Sequence, residues 1–370
     1  MAKNANTNLG AAKTAKKDEF YTQLTDIEKE MRYYRKHFKG KTVLCNCDDP
    51  FESNFFKYFV LNFNRLGLKK LISTCYATSP IAGQQLSLFD MASGDEEQRN
   101  KPYKAVVTKV YDTTGDGGVD MFDVAELFKS HENKLTELQD DGDFRSKECL
   151  ALLDEADIVV TNPPFSLFRD YVSVLVKHEK HFIIIGNVNA ITYKEFFPLI
   201  RDNKVWIGAS IHSGDRKFYV PDDYPLNASG CGIDEDGRRY IRVKGVRWYT
   251  NLDIKQRHEE LILVKKYAGH EDEYPKYDNY DAINVDKVAD IPLDYDGVMG
   301  VPITFLDKYS PDQFEIIGIS GELANPLLID GKRKTGRFYI NGRRLYDRIA
   351  IRNKNPEQPK QLFVTNCGCQ

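Results

Sequence analysis

The sequence predicts an α/β protein: a doubly wound, largely parallel sheet, followed by a smaller β-rich domain. Three observations carry this. Apolar, β-branched runs at Lys41–Cys47, Leu71–Tyr76, Asp157–Thr161 and His181–Gly186 suit strands buried on both faces. Between them apolar residues recur at helical spacing, which is the α/β rhythm. After residue 210 the pattern turns to alternation with Pro/Gly punctuation, and a chain of 370 residues exceeds one small core.

In chain order, residues 1–17 are small, polar and basic, and read as a flexible arm. Asp18-Glu19-Phe20-Tyr21-Thr22 leads into a helix with Leu24, Ile27, Met31 and Tyr34 on one side. The first strand ends in Cys45-Asn46-Cys47, Asp48-Asp49-Pro50 turns the chain, and Phe51–Leu66 follows as an aromatic-rich helix. The second strand ends at Cys75 and Tyr76. Residues 77–118 break the rhythm as an insertion, with a strand over Tyr103–Tyr111 and a glycine-rich turn at Gly115–Gly118. Helical spacing covers Met121–Leu138, and a short helix runs from Gly142-Asp143-Phe144 through Leu153. A helix over Tyr193–Arg201 and a strand over Val205–Ala209 complete the winding. Tyr240–Tyr249 and Glu260–Tyr267 read as closing antiparallel strands, and Phe314–Ile319 and Phe338–Ile340 as strands of the second domain.

The stretch that organises the chain is Asp157-Ile158-Val159-Val160-Thr161-Asn162-Pro163-Pro164-Phe165. Two prolines stop the strand because neither can donate to the ladder. Ser166, Leu167, Phe168, Tyr171, Val172 and Leu175 then resume at helical spacing. Asn162 therefore sits at the carboxyl end of a buried strand, where open α/β sheets bind ligands. Its side-chain carbonyl and the Pro163 backbone carbonyl can both accept hydrogen bonds from an exocyclic amine, and Phe165 offers a face for a base ring. A plain strand-ending turn with Asn as a helix cap is the competing account.

Bulk properties narrow the class. Hydrophobic content of 41% with 12% aromatics is ordinary for a globular protein, and no run approaches the ~18 apolar residues of a membrane span. No signal peptide is evident, so a cytoplasmic protein is expected. The seven cysteines are spread out, with no C-x-x-C, so neither a disulfide framework nor a metal is expected. Net charge is −3, yet from Gly331 to Lys360 Lys332, Arg333, Lys334, Arg337, Arg343, Arg344, Arg348, Arg352, Lys354 and Lys360 face only Asp347 and Glu357. Interleaved Phe338, Tyr339 and Tyr346 make this a phosphate-binding surface in prospect, with Lys332, Arg333, Lys334, Arg337, Arg343 and Arg344 as its nucleic-acid contacts.

Asn-Pro-Pro-Phe after a hydrophobic strand resembles the amine-binding motif of Rossmann-like, S-adenosylmethionine-dependent amino-methyltransferases. Asp18–Thr22, Cys45–Pro50, Asn54-Phe55-Phe56-Lys57-Tyr58-Phe59 and Gly300-Val301-Pro302-Ile303-Thr304-Phe305 are similar to the EcoRI-type adenine-specific DNA methyltransferase family. The resemblance implies N6-methylation of an adenine flipped out of a short duplex site, in restriction-modification or related DNA modification. It implies catalytic roles for Asn162, Pro163, Pro164 and Phe165. Cofactor contacts fall to Asp18, Phe20, Tyr21, Thr22, Cys45, Asn46, Asp48, Asp143 and Phe144, with Asp143 accepting from the cofactor's adenine amine and Phe144 packing on its ring. The glycine-rich loop and the acidic end of the second strand, usual in methyltransferases at large, are missing. Domain limits are expected at 18–266 for the catalytic part and 267–370 for target recognition. Gln85-Leu86-Ser87-Leu88-Phe89 resembles a peptide that docks on the replication sliding clamp, with Gln85, Leu86, Leu88 and Phe89 as contacts. Nothing demands a symmetric interface, so a monomer is expected. Methylation of RNA or of protein glutamine, and DNA binding without catalysis, are the alternatives.

Overall fold

A computed structural model describes residues 21–47, 53–75, 102–112, 127–128, 132–220, 224–227 and 230–357. The chain divides into two compact units, Met1–Ala190 with Val205–Ile254, and Ile191–Lys204 with Lys255–Gln370.

The described strands of the first unit are β1 (Thr42–Cys45), β2 (Lys70–Thr74), β3 (Tyr103–Val107), β4 (Lys134–Glu137), β5 (Ile158–Thr161), β6 (His181–Asn187), β7 (Trp206–Ile207), β8 (Asp215–Tyr219), β9 (Gly232–Ile233), β10 (Arg239–Lys244) and β11 (Val246–Thr250). Eight of them form one sheet in the order β4-β3-β2-β1-β5-β6-β11-β7. The centre, β2-β1-β5-β6, is parallel, and both flanks are antiparallel. All four residues of β1 and all four of β5 are buried, which is why their sequences are apolar without alternation. From β1 the winding passes to β2 on one side and to β5 on the other, so their carboxyl ends frame a topological switch point.

Helix Leu24–Met31 and helix Asn54–Leu61 pack on this sheet through Ile27, Met31, Phe55, Phe56 and Phe59, all at most 1% exposed. Each such side chain contributes about 1.5–3 kcal/mol relative to exposure. Ser53 caps the second helix, accepting from Phe55 N at 3.1 Å. Fully buried Glu30 accepts from Tyr34 Oη at 2.7 Å, Ala209 N at 2.8 Å and Ser210 N at 2.7 Å, so it fastens the first helix to the segment entering β8.

Several expectations are corrected here. Leu135 lies not in a helix but in β4, because the Asn133 amide diverts the chain, accepting from Thr108 N (2.9 Å) and donating to the Lys109 and Leu127 carbonyls. Tyr240–Tyr249 is two strands, since Gly245 takes a positive φ of 72° between them. Only β11 closes the main sheet; β10 joins a separate sheet, β8-β10-β9. The last strand, β7, is two residues long and antiparallel to β11, and the helix before it, Phe197–Arg201, belongs to the second unit. Glu260–Tyr267 forms no strand: the Gln313 side chain satisfies both polar groups of Leu261 (2.8 and 2.9 Å) in place of a neighbouring strand.

The second unit is β-rich. β12 (Lys276–Tyr277), β13 (Tyr280–Asn284), β14 (Met299–Pro302), β15 (Phe314–Ile319) and β20 (Arg348–Asn353) form one sheet in the order β12-β13-β14-β20-β15. Two hairpins follow β15: β16 (Leu327–Ile329) with β17 (Lys332–Lys334), and β18 (Tyr339–Ile340) with β19 (Arg343–Arg344). Their two-residue turns, Asp330-Gly331 and Asn341-Gly342, have positive φ at both residues (50° and 71°, 49° and 73°). This is the type I′ geometry that Asx-Gly favours.

Candidate active site at the carboxyl edge of the sheet

Asn162 and Pro163 follow β5 directly and are buried, Asn162 at 5% exposure. Phe165–Leu167 makes one 3-10 turn and Phe168–Lys177 the next helix, so strand, prolines and helix occur as the sequence predicts. Phe165 is half-buried, its ring edge-on to Phe218 of β8 with centroids 6.5 Å apart. Behind the turn, Phe168 packs on Tyr249 (5.6 Å) and against Gly186 of β6, where a Cβ would stand 2.8 Å from Phe168 Cζ.

Across the switch point Thr161 Oγ1 donates to the Asn46 carbonyl, and the Tyr171 hydroxyl donates to Asn46 Oδ1. The two strand ends are thereby tied together by buried hydrogen bonds, each worth roughly 0.5–1.5 kcal/mol net. Cys47 has φ 65°, the left-handed conformation in which glycine is normally favoured. A residue other than glycine thus holds this conformation just past the end of β1. Cys45 is fully buried in the core.

Tyr21 pairs with β8 through Tyr21 N to Tyr219 O (3.0 Å) and Tyr219 N to Tyr21 O (3.1 Å), while Asn54 Nδ2 donates to the Thr22 carbonyl at 2.7 Å. The N-terminal motif is consequently joined to the strand whose Phe218 touches Phe165. Thr22 Oγ1 and, at the carboxyl end of β2, Thr74 Oγ1 are buried and have no hydrogen-bond partner among the described residues. Buried hydroxyls in that condition are costly in an apolar setting and fit a polar ligand. Phe144 is 5% exposed and edge-on to Tyr171 at 5.0 Å. Both oxygens of Asp143 are held by Arg145, Nε to Oδ1 at 2.9 Å and Nη2 to Oδ2 at 2.6 Å. These bonds hold the Asp143 carboxyl below the ordinary carboxylate range.

Asp18, Phe20, Asp48, Gln85, Leu86, Leu88 and Phe89 lie outside the described residues. Tyr171, Thr74 and Gly186 were not singled out as site residues from the sequence. Tyr171 carried only a helical-spacing signal, and Gly186 only its place at the end of an apolar run. Among the described residues no cluster of three His, Cys, Asp or Glu is placed to hold a metal, and no helix is long and apolar enough to cross a membrane.

In the second unit Lys332, Arg333, Arg343 and Arg344 are exposed and Lys334 half-buried. One expectation changes, since two of the three interleaved aromatics are buried. Arg337 is ion-paired to Asp347 at 2.9 Å, and Phe338 and Tyr339 are buried, at 0% and 5% exposure, leaving Tyr346 as the surface aromatic. The reason is the root of the hairpins: Phe338 stacks on Tyr280 (5.0 Å) and packs on Tyr277 (4.5 Å).

Comparison with known proteins shows the family. The family profile described as "Adenine-specific methyltransferase EcoRI" matches residues 8–354. The chain is 49% identical over 348 residues to the Type II methyltransferase M.EcoRI of Escherichia coli, covering 93% of this chain and 99% of that one. It is 36% identical over 354 residues to the Type II methyltransferase M.MpnI of Mycoplasma pneumoniae (93% and 97% covered). It is 35% identical over 358 residues to the Type II methyltransferase M.MgeORF184P of Mycoplasma genitalium (94% and 99%). No solved structure matches. With a profile spanning nearly the whole chain and relatives matched end to end, the protein belongs to the EcoRI family of adenine-specific methyltransferases.

Proposed function

We propose that this protein transfers a methyl group from S-adenosylmethionine to N6 of an adenine extruded from a short duplex DNA site, as the modifying partner of a restriction-modification or related system. The observation that carries the reading is a buried Asn162-Pro163 pair at the topological switch point, followed by the half-buried Phe165 ring. Adenine N6 is a poor nucleophile because its lone pair is delocalised into the ring. Asn162 Oδ1 and the Pro163 carbonyl accept its two N–H bonds, hold it and favour the pyramidal amine. Phe165 supports the base face, steadied by Phe218.

S-adenosylmethionine supplies a methyl already activated as a sulfonium. The residues suited to hold it are Thr22 and Thr74 through their buried hydroxyls, the left-handed turn at Cys47, and the Asp143–Phe144 segment. What remains for the protein is chiefly alignment and exclusion of water, which can be worth about 7–11 kcal/mol of a barrier. The second unit, with Lys332, Arg333, Arg343 and Arg344 exposed, is proposed to track phosphates and read base edges.

The test is labelled S-adenosylmethionine offered with duplex DNA, RNA or release-factor protein. Label in DNA alone, recovered as N6-methyladenine at one short motif, is the expected outcome. Label in RNA or protein instead would overturn the substrate assignment.

A further inference from the structure

The two hairpins of the second unit share one root. Asn279, 5% exposed, donates through Nδ2 to the carbonyls of Asn325 (2.9 Å) and Arg337 (2.9 Å) and accepts from Tyr339 N (3.1 Å). Asn325 N returns a bond to the Asn279 carbonyl at 3.1 Å. The strand entering β16 and the strand entering β18 are thus stapled to the same turn. Asp278 caps the tip of the second hairpin, accepting from Asn341 N (3.1 Å) and Gly342 N (2.8 Å). These are stiff arms with a common base.

They carry an unusual pairing of chemistry. Lys332, Arg333, Lys334, Arg343 and Arg344 make no ion pair among the described residues. On the same two arms stand two large apolar side chains left in water, Leu328 at 73% exposure and Tyr346 at 89%. Leu328 is the register partner of Arg333, so both occupy one exposed face of the first hairpin. Tyr346 lies two residues past Arg344. Its flanks are fixed, Leu345 by its N–H to the Phe338 carbonyl (3.0 Å) and Asp347 by Arg337, so its exposure is not that of a loose loop.

We infer that Leu328 and Tyr346 are apolar contacts to the DNA itself, Tyr346 stacking on a base or wedging between base steps and Leu328 packing in the groove beside the Arg333 phosphate contact. This rests on the reading of the second unit as the DNA-recognition part. The occupant follows from charge complementarity. Two hairpins that carry five cations without an ion pair among the described residues, and one acid, Asp330, fit a polyanion, and apolar side chains among phosphate contacts are how proteins unstack and bend duplexes. A stacked aromatic adds affinity without releasing counterions, whereas each lysine or arginine on a phosphate steepens the salt dependence.

The experiment measures binding of the full-length protein to a short fluorescent duplex carrying the site that it methylates, across a salt series. Tyr346→Ala should weaken binding by about 5- to 100-fold with the slope of log K against log salt unchanged. Tyr346→Phe should restore it, and Leu328→Ala should weaken it in the same salt-independent way. Arg343→Ala should instead flatten the slope by about 0.9. Unfolding temperatures check that the variants are intact. Unchanged affinity in Tyr346→Ala and Leu328→Ala would overturn the inference, as would loss of self-association in these variants, which would assign the face to a second copy of the chain. A wild-type protein that fails to bind duplex DNA would instead remove the reading on which the inference stands.

Discussion

Gly186→Ala is the most demanding single perturbation of the site that leaves every candidate contact residue in place. The added Cβ would stand 3.0 Å from Phe168 Cδ2, 2.8 Å from Cζ and closer still to Cε2. Carbon atoms settle at about 3.5–4.0 Å, so the ring has to retreat by roughly 1 Å. Tyr249 packs on Phe168 with its centroid 5.6 Å away and limits that retreat. The displacement is therefore passed to the start of helix Phe168–Lys177, one turn from Phe165. Overpacking of this kind costs about 1–3 kcal/mol of stability, and a misplacement of about 1 Å at reacting groups costs on the order of 10²-fold in rate. Single-turnover methyl transfer should fall by that order while the salt dependence of DNA binding stays as in wild type. Adding Phe168→Leu should recover much of the loss, a coupling that independent sites would not show. If Gly186→Ala turns over at the wild-type rate with unchanged unfolding temperature, the packing chain from β6 to Phe165 does not position the site.

Tyr171→Phe removes the donor to buried Asn46 Oδ1 and should cost about 1–3 kcal/mol, together with weaker S-adenosylmethionine binding, read by calorimetric titration and thermal melts. Asn279→Ala strips three side-chain hydrogen bonds from the root of both hairpins. It should depress DNA affinity at least tenfold, at about 1 kcal/mol or more per bond left unmade, with cofactor binding intact by the same titration. Asp234 bridges β8 to the turn after β9; burial raises its pKa, but the bonds from Arg238 N, the Tyr219 hydroxyl and Lys217 outweigh this and bring it to about 2. Its folded value lies below the ordinary 3.8, so its contribution is complete above that value and lost as pH falls toward 2. Carboxyl NMR titration of Asp234 should show this midpoint, and one near 3.8 would contradict the bridge.

The catalytic edge was legible because its signals are local and covalent in origin. Consecutive prolines must end a ladder, and an apolar run without alternation must be buried on both faces, so Ile158–Phe165 could be read as strand, stop and helix. The resemblance then named the chemistry. What could not be read depends on partners distant in sequence. Leu135 and Leu138 have helical spacing, yet Asn133 bonds to Thr108 and Lys109 and turns that stretch into an edge strand. Phe338 and Tyr339 look like surface aromatics among arginines until Tyr277 and Tyr280, sixty residues earlier, are seen to bury Phe338. The ion pair of Arg337 with Asp347, ten residues on, was equally invisible in the basic run. The hairpins themselves carry a local signal: Asp330-Gly331 and Asn341-Gly342 are type I′ turn sequences, one at the tip of each.

The central claim is that Asn162 acts on the acceptor amine and not on the cofactor or the fold. It is tested most directly by Asn162→Ala, measuring S-adenosylmethionine affinity and methyl transfer to DNA side by side. The account predicts cofactor binding within about threefold of wild type and transfer reduced on the order of 10²-fold or more. Transfer retained near the wild-type rate, or lost only in step with cofactor binding, would contradict it.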